Sequence, residues 1–314
     1  MNDDDGETQP AILQRKSLAF YNSFIVLSFL NVFLAITATL GNTLIFLALG
    51  RNSGLHAPSR LLIRCLTFTD LCVGLISQPL AALHAIAILT KHLAIFRFTV
   101  VSSYITSAIL SGVSLFVLTL ISIDRLLALS LGVRYRQTVT TKRVLIFVIF
   151  IWAVNVANAT LRFLGNRFVF YTFSLVSILL CVAISTFCYG KICRTLRAQS
   201  LKVRASVSEG KPSESSSLHV ERYKKTVSSA LWVHFTLLAC YLPYSIVSGL
   251  KAITGETFAV AHGFTATLIF FNSSVNPVLY CWRIREVRQA VKETIRQYCG
   301  FSSMAQIDIN EETP

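Results

Sequence analysis

Long apolar blocks alternate along this chain with short segments that are polar and mostly basic. Seven blocks reach the roughly 20 predominantly apolar residues that a helix needs to cross the hydrocarbon core of a bilayer. They cover residues 21–49, 59–89, 98–131, 144–163, 168–196, 225–250 and 258–281. The pattern predicts an all-α membrane protein, a seven-transmembrane helix bundle with a short amphipathic eighth helix. Its domains are an extracellular N-terminal tail over 1–20, the bundle over 21–281 with a third inner loop at about 198–220, and an amphipathic helix with a cytosolic tail over 282–314. No period points to internal repeats of the transporter kind.

Composition agrees. The 314 residues are 54% hydrophobic and 14% charged, with a mean hydropathy of +0.61, too apolar for an ordinary soluble domain. The first residues, MNDDDGETQP, are acidic where a cleavable signal starts basic, so the first block is expected to be both signal and anchor. Most of the 29 Lys and Arg fall in the connections after the first, third, fifth and seventh blocks. By the positive-inside rule the N-terminus is then extracellular and the tail cytosolic, in a multi-pass protein of the plasma membrane. The net charge of +14 is a topology signal and implies no nucleic-acid partner.

Two cytosolic segments stand out. SLKVRASVSEGKPSESSSLHV, after the fifth block, is poor in apolar residues and reads as a disordered, solvated loop within reach of kinases. RIREVRQAVKETIRQYC, after the seventh, sets Ile284, Val287, Val291 and Ile295 at helical spacing against a basic face. That is the pattern of a helix lying on an anionic inner leaflet, which makes membrane lipids a partner. Cys299 at its end is either a palmitate acceptor or a plain free thiol. All eight cysteines fall in spans or on the cytosolic side, leaving no extracellular disulfide, and their spacing suits no metal. The sequons at Asn158 and Asn272 lie inside spans. Catalytic motifs are absent, so no enzyme is expected.

Polar residues inside the blocks are costly and call for a reason. Asp70 is the one acid deep in the spans; Asn42 and Ser114 reach similar depth, and Asn272, Ser273 and Asn276 come from the seventh span. Together they fit one buried ion or water site, or else they are hydrogen-bonding glue between helices. Pro277 removes a backbone bond that Asn276 or water can re-satisfy, giving a kink able to act as a hinge. At the end of the third span, Asp124 and Arg125 form adjacent charges that can exchange partners, as a switch requires.

These residues resemble the rhodopsin-like (class A) family of G-protein-coupled receptors over essentially 21–298. The motifs come in order: Gly41 with Asn42, Leu66 with Asp70, Asp124 with Arg125, Trp152, Tyr189, Pro243 in CYLPY, and NPVLY with Asn276, Pro277 and Tyr280. The resemblance implies a sodium-binding pocket at Asp70, Ser114, Asn272, Ser273 and Asn276, and no other cofactor. It implies an activation switch at Asp124, Arg125, Tyr189, Pro243, Pro277 and Tyr280, with Tyr241 at the toggle position below the ligand. Implied partners are an extracellular ligand, a heterotrimeric G protein, arrestin and receptor kinases, with outward movement of the sixth helix as the activating step.

Departures from the family pattern narrow the reading. Val100 stands where a disulfide cysteine is usual, Cys181 where the fifth helix has proline, and Tyr241 where the sixth has tryptophan. Leu126 completes what is usually DRY, and Tyr223 stands where an acid often locks the switch arginine, with Glu221 near. The second outer loop, 164–167, is short and lacks cysteine. The last feature and the absent proline look like the branch of melanocortin, lysophospholipid, cannabinoid and adenosine receptors, melanocortin receptors in particular. The acids with which melanocortin receptors grip a basic peptide have no counterpart. An inactive state without these locks is expected to signal measurably without agonist.

Of the 15 acids, the bundle holds Asp70, Asp124 and the outer-loop Glu256, and Ser107 occupies the amine-binding aspartate position. An ammonium ligand would lack a buried counter-ion, and the seventh span has no lysine for retinal. Lys91, His92, Arg97, Arg162, Arg167, Lys251 and His262 make the outer rim basic. They contact lipid headgroups and water, or they draw in a neutral or anionic amphipathic ligand whose body packs among Tyr104, Ser107, Ser111, Phe173, Ser177, Tyr241, Tyr244 and His262. The chief rival function is a non-signalling seven-helix scaffold or decoy. A channel or transporter would want a polar path rather than one closed cluster.

Overall fold

A computed structural model describes residues 9–50, 55–164, 167–208, 235–251, 253–254, 258–283 and 286–297. Among these there is no strand. The helices are α1 (Gln9–Gly50), α2 (Ala57–Cys72), α3 (Gln78–Thr90), α4 (Leu93–Leu131), α5 (Tyr135–Thr138), α6 (Thr141–Phe163), α7 (Arg167–Ser208) and α9 (Ala259–Arg283). Between α7 and α9 lies α8, described over 235–251, and α10 follows over 286–297. The sequence-predicted spans correspond in order to α1, α2 with α3, α4, α6, α7, α8 and α9.

Three boundaries differ from expectation. α1 starts at Gln9, well before residue 21, so the segment expected to be a tail is helical from there. Pro10 sits in the first turn, where its missing N–H breaks no helical bond. α7 continues to Ser208, into the stretch expected to be loop from about 198, because nothing before Gly210 and Pro212 breaks a helix. The second span is two helices joined by a π turn, Val73–Ser77, and Pro79 in the first turn of α3 supplies the missing N–H that lets the ladder widen there.

Five helical segments among the described residues are long and apolar enough to cross a membrane: Leu18–Gly50, Ala57–Thr90, Leu93–Thr138, Thr141–Leu161 and Phe168–Ala198. α9 is not among them, being less apolar than the other spans. Asn272, Ser273, Ser274 and Asn276 interrupt its apolar run, and three of them point inward, each 3% exposed or less.

α4 is the central helix and packs against α2, α3, α6 and α7, while α1 lies against α3 and α9. The main core runs through the bundle from Ile45 and Leu66 through Val113 and Val117 to Leu237, Tyr241 and Tyr280. Outside, Phe29, Phe33, Ile146, Phe150 and Phe187 are well exposed. Inside, Asn31, Asn42, Asp70, Asn155 and Asn158 are buried. A soluble domain distributes these types the other way round; here the outward apolar faces meet lipid and the polar groups bond between helices.

Candidate functional site

Asp70, near the end of α2, is fully buried and so needs donors on its carboxylate. Ser273 Oγ donates to Oδ1 at 2.8 Å, Ser114 Oγ to Oδ1 at 3.2 Å, and Asn276 Nδ2 to Oδ2 at 2.7 Å. Three helices, α2, α4 and α9, therefore meet at one carboxylate. Asn272 is buried beside them, but its Nδ2 has no partner and it is not bonded to Asp70. The donor set is all oxygen, a carboxylate with two serine hydroxyls and amide groups, which fits a hard cation such as sodium. Among the described residues no cluster of His, Cys, Asp and Glu suits another metal.

Pro277 cannot bond the carbonyl four residues before it, which is that of Ser273. The structure re-satisfies this carbonyl from a neighbouring helix. Asn42 Nδ2 of α1 donates to Ser273 O at 2.9 Å and to Ala38 O at 2.9 Å. Sequence reasoning gave that task to Asn276 or water; Asn276 is occupied by Asp70 instead. Gly41 allows the approach, since a Cβ there would lie 3.0 Å from Pro277 Cγ. The Gly41–Asn42 and Asn276–Pro277 pairs are thus two halves of one joint.

Beyond Asp70, toward the end of the bundle where Phe24 of α1 and Ala259 of α9 lie, is a cavity of about 600 Å³. Its walls include all eight residues expected of a ligand pocket, Tyr104, Ser107, Ser111, Phe173, Ser177, Tyr241, Tyr244 and His262, with Val100 among them. Tyr241, 2% exposed, forms the floor. Its hydroxyl donates to Ser111 O at 3.3 Å and also meets the Ser114 side chain, the same serine that holds Asp70. Tyr241 on the cavity side and Ser114 on the carboxylate side thus link the two.

The basic rim is narrower than its composition suggested. Of the expected residues, Lys251 and His262 line the cavity. Lys91, His92 and Arg97 are exposed away from it, and the side chains of Arg162 and Arg167 lie outside the described residues. Lys251 Nζ stands 5.9 Å from the Tyr104 ring centre and 5.5 Å from that of Tyr171, within cation–π reach of both. His262 packs between Tyr104 at 5.7 Å and Tyr244 at 5.2 Å. No acid lines the cavity among the described residues.

Sequence reasoning missed the opposite wall, where Asn155 and Asn158 of α6 line the cavity. Their spacing within an apolar block was the available signal. Gly112 makes the room, since a Cβ there would collide with Asn155 Oδ1. Asn158 Nδ2 donates to Ser174 Oγ at 3.4 Å, while its Oδ1 is buried without a partner.

At the far end of α4, Asp124 is 4% exposed and accepts from three sides. Arg125 Nη2 lies 3.1 Å away, Ser59 Oγ donates at 2.9 Å, and the Tyr135 hydroxyl donates to the other oxygen. Ser59 is remote in sequence and Tyr135 lies just past the end of α4, and neither carried a signal. Tyr189 packs with Leu126, Ile192 and Leu279, and Tyr280 belongs to the main core, as do Val287 and Val291 of α10. Pro277 is buried and Pro243 half-buried. The seven described cysteines, Cys181 included, are free thiols; Cys299, Glu221, Tyr223 and Glu256 lie outside the described residues.

Comparison with known proteins bears on this arrangement. The family described as 7 transmembrane receptor (rhodopsin family) matches residues 41–170 and 165–280. The histamine H2 receptor of Rattus norvegicus is 26% identical over 84% of this chain and 76% of the relative. The adenosine receptor A3 of Ovis aries is 24% identical over 82% of this chain and 86% of the relative. The 5-hydroxytryptamine receptor 1B of Vulpes vulpes is 24% identical over 88% and 87% respectively. These relatives single out no branch of the family.

Proposed function

The chain belongs to the rhodopsin family of seven-transmembrane receptors, and on that premise we propose how this receptor works. It is a multi-pass membrane protein and a ligand-binding G-protein-coupled receptor, not an enzyme. It sits in the plasma membrane with its N-terminus outside. An extracellular ligand enters the cavity above Tyr241, and the response at the other end is outward movement of α8, which opens a cytosolic cleft for the heterotrimeric G protein. Arrestin and receptor kinases act on the same cytosolic face.

The observation that carries this is the single thread Tyr241–Ser114–Asp70–Asn276, which joins the cavity floor to the kinked helix α9. A ligand that displaces Tyr241 moves a residue that touches Ser114, which in turn donates to Asp70. Sodium bound at Asp70, Ser114, Ser273 and Asn276 supplies a positive charge that neutralises the buried carboxylate and holds α2, α4 and α9 in one arrangement.

The ligand is neutral or anionic and amphipathic. An amine such as histamine, after which one relative is named, would find no acid on the described walls and Lys251 at the mouth. Tyrosine and phenylalanine rings suit an apolar body, and Lys251 suits an anionic head.

Basal G-protein activation across all Gα classes in transfected cells, with wild type set against Arg125→Ala at matched surface expression, tests the reading. Wild-type signal lost in the variant is expected. Output equal to empty vector in every class would favour a non-signalling scaffold or decoy, for which Leu126 and Tyr241 are the supporting departures.

A further inference from the structure

Arg64 has no evident task in ligand binding or switching, and its setting is unusual. It lies two turns into α2, about 10 Å along the axis from Ala57. It is half-buried, facing the seam with α1, and its guanidinium carbon stands 5.4 Å from the centre of the Phe46 ring. Arg60, one turn earlier and so on the same face, is also half-buried. Neither has an acid within ion-pair distance, the one ion pair among the described residues being Asp124–Arg125. Two cations held at the border of an apolar layer, without a protein counter-charge, leave a demand that water meets poorly at that depth.

Next to them the surface is apolar. Phe46 and Phe68 pack with ring centres 6.5 Å apart. Phe68 is 45% exposed and Leu47 on α1 is 44% exposed. The Phe46 ring props Arg64 against the helix rather than letting it extend freely, so part of the ordering cost of binding is already met. A cationic pair above an aromatic shelf matches a molecule with a phosphate head and a hydrocarbon chain lying along the helices.

We propose that Arg60, Arg64, Phe46 and Phe68 form a site for an anionic phospholipid of the inner leaflet. Its phosphate sits between the two guanidiniums, and one acyl chain runs along Phe68 and Leu47. A headgroup with more than one phosphate binds best, because each arginine can then take a phosphate oxygen pair. The inner-leaflet assignment rests on the orientation proposed above. The binding itself does not.

The test uses the purified full chain in detergent–lipid micelles, which have no sides. Native mass spectrometry reads retention of phosphatidylinositol bisphosphate against phosphatidylcholine. Wild type is expected to retain the bisphosphate lipid preferentially. Arg64→Gln and Arg60→Gln should each lower its apparent affinity about fivefold, the usual effect of one cation near an anionic surface. Arg143→Gln, an exposed arginine on α6, should leave it unchanged. A soluble inositol phosphate at matched concentration should fail to displace the lipid.

Equal retention in all variants would overturn the site, leaving Arg64 merely reaching for bulk headgroups. An equal loss in Arg143→Gln would reduce the effect to net charge, and displacement by the soluble headgroup would replace the lipid by a free phosphate compound. If Arg64→Gln does not fold, Arg60→Gln, closer to the helix start, decides the matter alone. A receptor silent in G-protein assays can still show this binding, so the two readings fail separately.

Discussion

At the scale of single residues, Lys251 is the group that most constrains the ligand. Its ammonium rests against two tyrosine rings and no acid shares its cavity among the described residues. An anionic head entering there gains a charge-assisted bond on the order of 1.5–3 kcal/mol. Lys251→Glu should therefore weaken an anionic agonist roughly 10–100-fold while sparing a neutral one. The measurement is a dose–response of wild type and variant to the anionic amphiphile that activates wild type best. Unchanged potency would remove the anionic reading. The eight pocket residues were legible through the family resemblance, whose motifs fix which positions of each block face the bundle's interior. Asn155 and Asn158 were passed over because an isolated amide in an apolar block looks the same whether it faces a cavity or a neighbouring helix. Likewise, nothing local distinguishes Lys251 in the cavity from Arg97 outside it.

At the scale of elements, the joint between α1 and α9 is the clearest case of a sequence feature made intelligible by packing. Pro277 orphans the Ser273 carbonyl, and Asn42 supplies the donor from another helix. Asn31 Nδ2 adds a bond to Thr267 Oγ1 at 3.0 Å, and Ser274 Oγ one to Leu34 O at 3.2 Å, along the same seam. Interhelical bonds in membranes average about 0.6 kcal/mol, but a buried carbonyl left unpaired costs about 1–3 kcal/mol. The second figure applies, because Asn42 Nδ2 is the donor the structure shows on that carbonyl. Asn42→Ala should lower the apparent melting temperature of the detergent-solubilised protein by several degrees. Thr43→Ala, on the exposed side of α1, should leave it in place. Equal melting of the two variants would mean that α9 repairs its own kink.

At the scale of the whole molecule, Asp70 ties α2, α4 and α9 together and is linked through Ser114 to Tyr241 of the cavity wall. The expectation is that sodium bound there holds the quiet arrangement. Basal signalling of wild type should fall as sodium replaces an inert cation in the medium, and Asp70→Asn should lose that dependence while still reaching the cell surface. A sodium response undiminished in Asp70→Asn would place the ion elsewhere. The absence of a third-helix disulfide (Val100 lines the cavity instead) leaves α4 held by packing and by Asp70 and Asp124, and this is the physical ground for expecting basal output at all.

Hydrophobic block length alone determined that the chain crosses a membrane as a helical bundle, because lipid leaves backbone no other partner than itself. The depth of Asp70, Ser114, Ser273 and Asn276 within their blocks is enough to bring these residues to one level. Which of them touch was settled only by helix rotation and packing. Asn276 turned to Asp70, Asn42 took the carbonyl freed by Pro277, and Ser59 from α2 and Tyr135 from just beyond α4 closed on Asp124. Helix ends also escaped the hydrophobic pattern. The described part of α1 reaches back to Gln9 and that of α7 on to Ser208, because the change from apolar to polar side chains marks where lipid stops, not where the hydrogen-bond ladder does.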